Sequence, residues 1–151
     1  DQGGVFEGWT LPEVAEAYVA LRPADPLGHR ILADWWDGQG APARGVESLA
    51  VLAGQEEYDP QVVRRYAEAL RLAERYGDGA AAMERAVGIS PFDPSLREIA
   101  AAAAIEASSF ATAERHLRAL QILEPDEPRH GRRLEAFIRR FGDLTETQSP
   151  R

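Results

Sequence analysis

Four acid–proline pairs, Asp25-Pro26, Asp59-Pro60, Asp93-Pro94 and Glu127-Pro128, set a proline every 34 residues along this chain. Each pair has the chemistry of a helix start. The acidic side chain can accept from first-turn N–H groups that lack a partner, and proline at the first helical position gives up a donor that would go unused. A fixed period in the range of roughly 20–50 residues marks a stacked-repeat architecture, in which each unit buries its apolar face against the next.

Alignment on the prolines exposes columns. Leu32, Tyr66, Ala100 and Leu134 fall together, followed by Ala33, Ala67, Ala101 and Glu135, and then by Trp36, Leu70, Ala104 and Ile138. That is an i, i+1, i+4 stripe on one helix face. Breaks follow at Gly38-Gln39-Gly40, Gly77-Asp78-Gly79 and Ser108-Ser109. A second helix then carries the columns Gly45/Gly79/Ala113, Leu49/Met83/Leu117 and Leu52/Ala86/Leu120. Small residues early in both helices allow close backbone approach, and larger ones fill the seam. Helix starts are expected near residues 11, 26, 44, 60, 79, 94, 112 and 128.

These columns resemble the tetratricopeptide repeat family. Its pattern is met by Leu32-Ala33, Trp36, Gly45 and Leu49, by Tyr66-Ala67, Leu70, Gly79, Met83 and Pro91, and by Ala100-Ala101, Ala104, Ala113, Leu117 and Pro125. Glu57 stands where the first repeat would close on proline, and the third repeat is rich in alanine. The resemblance implies an all-α fold, a right-handed superhelix of antiparallel helical hairpins (a TPR-like α-α solenoid). It divides a single domain, residues 1–151, into a half repeat at 10–22, three repeats at 26–59, 60–93 and 94–127, a capping helix at 128–142 and a tail at 143–151. The half repeat opens on Thr10-Leu11-Pro12-Glu13, a capping box. In the capping helix Leu134, Phe137, Ile138 and Phe141 form the apolar stripe, Gly142 is the expected stop, and the tail is expected to fray.

Charge bears on partners. The net charge is −8, with three Arg against eleven acids in residues 1–60 but five Arg against one acid in residues 128–142. An acidic body disfavours nucleic acid, because phosphate binding needs a positive field. No apolar run reaches the length of a membrane span, so membrane insertion is not expected. All 17 basic residues are Arg, which reads as base composition, and zero Cys removes disulfides and thiolate sites. The chain begins without Met and without a signal-peptide pattern, which reads as a piece of a longer protein and leaves the compartment open.

Chemistry finds no foothold. His29, His116 and His130 lie in different columns without metal-ligand spacing and read as surface groups; His29 with Asp34 and Asp37 lacks the further ligands that a metal needs. No nucleophile elbow, phosphate loop or dinucleotide fingerprint occurs. Neither an enzyme nor a cofactor is expected. Trp36 reads as core, Trp35 as peripheral and Trp9 as a cover for the N-terminal end.

In the family resembled, the first helix of each hairpin lines the concave side. Carried over by column, that side presents Arg30, Asp34, Asp37, Arg64, Glu68, Arg71, Glu98, Ile105 and Arg132 as a partner-binding surface for a protein or peptide. The family's carboxylate clamp is disfavoured, because Asp34 and Glu68 stand where Asn is needed and no Lys exists. Arg30–Asp34, Arg64–Glu68 and Glu68–Arg71 can also pair along their helices, which leaves a self-neutralised solvated face as the alternative. The expected function is a non-catalytic interaction or scaffold module. The alternative is an accessory C-terminal segment of a larger enzyme, such as an exported hydrolase. Self-association through an exposed end of the stack is a further expectation.

Overall fold

The computed structural model describes residues 8–55 and 59–148. Among these residues there is no strand, and the helices run α1 (Leu11–Leu21), α2 (Pro26–Gly38), α3 (Val46–Gln55), α4 (Pro60–Leu72), α5 (Tyr76–Ile89), α6 (Pro94–Glu106), α7 (Phe110–Leu123) and α8 (Pro128–Gln148). One turn of 3₁₀ helix, Pro42–Gly45, leads into α3. The chain forms two compact units, Asp1–Glu74 and Arg75–Arg151.

The acid–proline pairs do what their chemistry requires. Asp25, Asp59 and Asp93 accept from the backbone N–H groups of Leu27, Gln61 and Ser95 at 3.0, 2.9 and 2.9 Å. Glu127 accepts from Arg129 N–H at 3.3 Å. At α1, the Glu13 carboxylate accepts from the Thr10 backbone and hydroxyl at 2.7 and 2.8 Å.

The breaks inside the hairpins have a different cause from the one that composition suggests. Gly40, Glu74 and Ser108 have φ of 66°, 60° and 57° and lie 34 residues apart. This left-handed residue ends the preceding helix. After α2 and α6 a six-residue bond closes the turn, from Ala41 N–H to Trp36 C=O and from Ser109 N–H to Ala104 C=O. The second break therefore falls at Ala73–Arg75, not at Gly77–Gly79, which lies in the first turn of α5. With Glu74 making the turn, the glycines are not needed for it, and Arg75–Asp78 pairing supports the helix start at 3.0 Å. Helix α7 starts at Phe110, two residues early, for the same reason.

In the first unit α2 packs on α1 and α3, and α3 on α4. Leu32, Ala33, Leu49, Leu52 and Ala53 are buried. Close approach is specified by glycine: a Cβ on Gly28 would lie 2.7 Å from Val19 and 2.9 Å from Tyr18, so any other residue there would force those side chains or the helices to shift. Trp36 is half-buried, not core, and the Arg44 guanidinium covers its ring at 3.7 Å. A cation over an indole face supplies part of what burial would. Trp9 is 53% exposed and does not seal the N-terminal end.

In the second unit one core cluster is Ala101, Ala104, Ala113, Leu117, Leu120, Leu134 and Phe137, with Ile105, Phe110 and Phe141 against it. Ile138, expected in the stripe, is 40% exposed, and Glu135 is exposed, as a carboxylate in a column otherwise filled by buried alanines requires. Helix α8 runs straight through Gly142 to Gln148, so the expected stop and most of the expected frayed tail are ordered. The reason is tertiary. Phe141 stacks on Phe110 at 4.7 Å, and Thr145 is buried. The Gln148 carboxamide oxygen accepts from Phe110 and Ala111 N–H at 2.8 and 3.3 Å, and its nitrogen donates to the Ser108 carbonyl at 2.9 Å. Gln148 thus caps the start of α7, where Ser109 makes no side-chain cap.

The three histidines are buried, contrary to the surface reading: His29 is 6% exposed, and His116 and His130 are 1% exposed. Each is admitted by its partners. His29 Nε2 donates to the Pro23 carbonyl at 2.9 Å, and its Nδ1 meets the Ser48 hydroxyl at 3.3 Å. Arg97, in the same repeat column as His29, donates from Nε to the Pro91 carbonyl at 2.8 Å and from Nη1 to His116 Nδ1 at 3.4 Å. His116 itself stands in the column of Ser48. One polar node therefore recurs, built first from buried His29 and Ser48 and again from half-buried Arg97 and buried His116. His130 Nε2 bonds to Glu124 at 2.7 Å.

Candidate functional site

In the first unit the predicted residues lie on the outward faces of α2 and α4, where Arg30, Asp34, Asp37, Arg64 and Glu68 are exposed and Arg71 is half-exposed. Asp34, expected to pair along α2, is also engaged from the next hairpin. Arg65 of α4, not singled out from the sequence, bridges to Asp34 at 2.9 Å and to Asp37 at 2.5 Å. Burial alone would lower the Arg65 guanidinium, but the bonds from Asp37 and Asp34 outweigh it and raise it. Glu68 and Arg71 form a two-point pair, Nε–Oε2 at 2.9 Å and Nη2–Oε1 at 2.7 Å. Arg71 holds the Glu68 carboxyl below its usual range; partial burial opposes this, and the nearby Arg64 adds to it. Pairs this exposed contribute about 0–1 kcal/mol each, so a partner's carboxylate can compete for the cations.

In the second unit Glu98, Ile105 and Arg132 are placed by α6 and α8. The Glu98 carboxylate lies between Arg129 at 3.3 Å and Arg133 at 3.4 Å. Its Oε1 is buried without an aligned hydrogen bond. Beside it a cleft of about 280 Å³ opens between α6 and α8. Ala101, Ala102 and Ile105 line one side, Ala136 and Phe137 the other, Leu117 of α7 closes the floor, and Arg133 and Arg140 supply charge. Arg132 is exposed and does not line the cleft. The small side chains of Ala101, Ala102 and Ala136 leave this space open. An apolar floor with cationic edges suits an acidic, partly apolar peptide.

Arg65, Arg133, Arg140 and Phe137 were missed as site residues. A signal for the first exists: Arg65 follows Asp34 by 31 residues, and Arg115 follows Glu84 by the same interval in its own pair at 2.6 Å. That interval is the repeat minus three, the offset at which neighbouring hairpins bring side chains together. Among the described residues no group of three or more His, Asp or Glu is arranged to hold a metal, and no helix is long and apolar enough to cross a membrane.

No protein-family model matches this chain, and no curated protein matches it by sequence. Solved structures do. The crystal structure of MamA superposes with a TM-score of 0.66 over 91% of this chain and 79% of that one, at 11% identity. The MamA RS-1 ArsTM double mutant gives 0.65 over 91% and 76%, at 14% identity. Likeness at such identity shows the fold alone, and that fold is the all-α, TPR-like helical solenoid.

Proposed function

We propose that the chain is a non-catalytic interaction or scaffold module that takes an acidic, partly apolar segment of a protein partner. The observation that carries this reading is the α6/α8 cleft, where alanine-lined walls, Ile105 and Phe137 meet the guanidinium groups of Arg133 and Arg140. The outward faces of α2 and α4 add a second cationic strip, in which Arg64 and Arg71 flank Glu68. A partner carboxylate displacing Glu68 would gain two charge-assisted contacts.

The test begins with a partner isolated on the wild-type chain, followed by titration calorimetry with two variants. Ala102→Glu fills the cleft from an exposed helical position and adds a repelling charge. Arg64→Ala/Arg71→Ala removes the strip. Each is expected to weaken binding by about 2 kcal/mol or more where its site is used, without unfolding the chain. Wild-type affinity in both variants would move the site elsewhere and sink the reading.

A further inference from the structure

A second and larger pocket lies on a different face of the second unit. It has a volume of about 610 Å³ and is walled by Arg97 of α6 and by Ala111, Arg115, Arg118, Ala119 and Ile122 of α7. On α7 these positions follow one another at helical spacing, turned away from the buried Ala113, Leu117 and Leu120 that face the core. Ile122 is 80% exposed at one end of the pocket, a large apolar group with no cover.

The three arginines are held in place but not used up. Arg97 is anchored through Nε to the Pro91 carbonyl and through Nη1 to His116, which leaves Nη2 without a hydrogen bond among the described residues. Arg115 is tethered through Nη2 to Glu84 at 2.6 Å, leaving Nε and Nη1. Arg118 uses Nε and Nη2 on Glu114 at 2.8 and 2.6 Å, leaving Nη1. Guanidinium forks fixed in orientation lose little freedom when they take a carboxylate, and that is what makes such groups selective. Against them stands one lining acid, Glu114, in a chain whose net charge is −8. The pocket is therefore a local cationic exception next to an exposed apolar side chain.

We propose that this pocket is a second binding site, taking an acidic peptide segment whose carboxylates meet Arg97, Arg115 and Arg118 and whose apolar side chain covers Ile122. It is independent of the α6/α8 cleft: it uses another face of α7, and Arg97 is the sole α6 residue in its wall.

The experiment uses the full chain labelled with ¹⁵N and an acetylated, amidated Glu-Leu-Glu-Glu-Leu peptide as probe, titrated at low salt. Amide shifts are expected to concentrate at Ala111, Arg115, Ala119 and Ile122. Arg115→Ala/Arg118→Ala is expected to weaken the probe at least about tenfold, since two charge-assisted contacts are lost. Ile122→Glu, at an exposed position, is expected to do the same through repulsion. Ala102→Glu, in the other cleft, should leave the titration of the Ala111, Arg115, Ala119 and Ile122 amides unchanged, so failure here is distinct from failure of the α6/α8 reading. Inorganic phosphate at matched ionic strength is the comparison. Phosphate shifting the same amides as strongly as the peptide would overturn the peptide assignment. Shifts scattered over the chain, or wild-type affinity in both pocket variants, would overturn the site.

Discussion

His116 shows how one side chain's protonation becomes a property of a whole unit. Arg97 donates to its Nδ1, so that nitrogen must offer a lone pair, while Nε2 carries the proton toward Glu84. The ring is thereby assigned as neutral from its partners. Burial lowers its pKa from an ordinary 6.5, and Arg115 and Arg97 push the same way against the opposing pull of Glu84. The unfolded chain therefore binds a proton that the folded chain refuses. Stability should fall as pH drops from neutrality through about 6.5 and level off below the depressed folded value. Denaturant midpoints measured between pH 7 and pH 5 check this. In His116→Gln, whose amide can still donate to Glu84 and accept from Arg97, the decline should be smaller; an equal decline would assign the effect to other groups.

At the scale of elements, the turns after α2, α4 and α6 place three different residues in one left-handed conformation. Glycine takes it without cost, whereas Glu74 and Ser108 each carry a Cβ that disfavours it. Glu74→Gly and Ser108→Gly should each stabilise the chain by about 0.5–1 kcal/mol, read as a raised midpoint in chemical denaturation. Lower midpoints would mean that the carboxylate or hydroxyl does more there than the strain costs. The same contrast explains what could be read in advance. Starts of α2, α4, α6 and α8 were legible because cap and proline act within a few residues. The starts of α5 and α7 were not, because the left-handed residue before each is Glu74 in one and Ser108 in the other, and neither residue type announces that conformation. The pairing of Asp34 was missed for a related reason. Helical i, i+4 rules look within one element, and Arg65 comes from the next hairpin.

For the whole molecule, the fold class was legible because a period of 34 constrains the entire chain at once, whereas the α6/α8 cleft emerges only when alanines on two helices are set side by side. The last residues of α8 were illegible for the same reason: Gly142 reads as a stop until Gln148 is seen at the start of α7. Gln148→Ala should cost about 1 kcal/mol, as lost caps do, and should speed exchange of the Phe110 and Ala111 amides. The three tryptophans, Trp9, Trp35 and Trp36, all precede Glu74, while helix content is shared by both units. The variant's far-UV circular dichroism transition should therefore move more than its tryptophan fluorescence transition. Coincident shifts would mean that the units unfold together.

The recurring polar node bears on how such a chain avoids folding wrongly. Hairpins of one length and similar sequence can dock in the wrong order, as beads on a string can be threaded one place out. Val63 and Ala82 occupy in the middle repeat the positions that His29 and Ser48, or Arg97 and His116, occupy on either side. A shift by one repeat would set Val63 against Ser48 and strand a buried hydroxyl at about 1–3 kcal/mol, or set Arg97 against Ala82 and take away the partner of its Nη1. The two polar nodes, one in each unit, work as keys cut into the core, and only the native order of hairpins turns them.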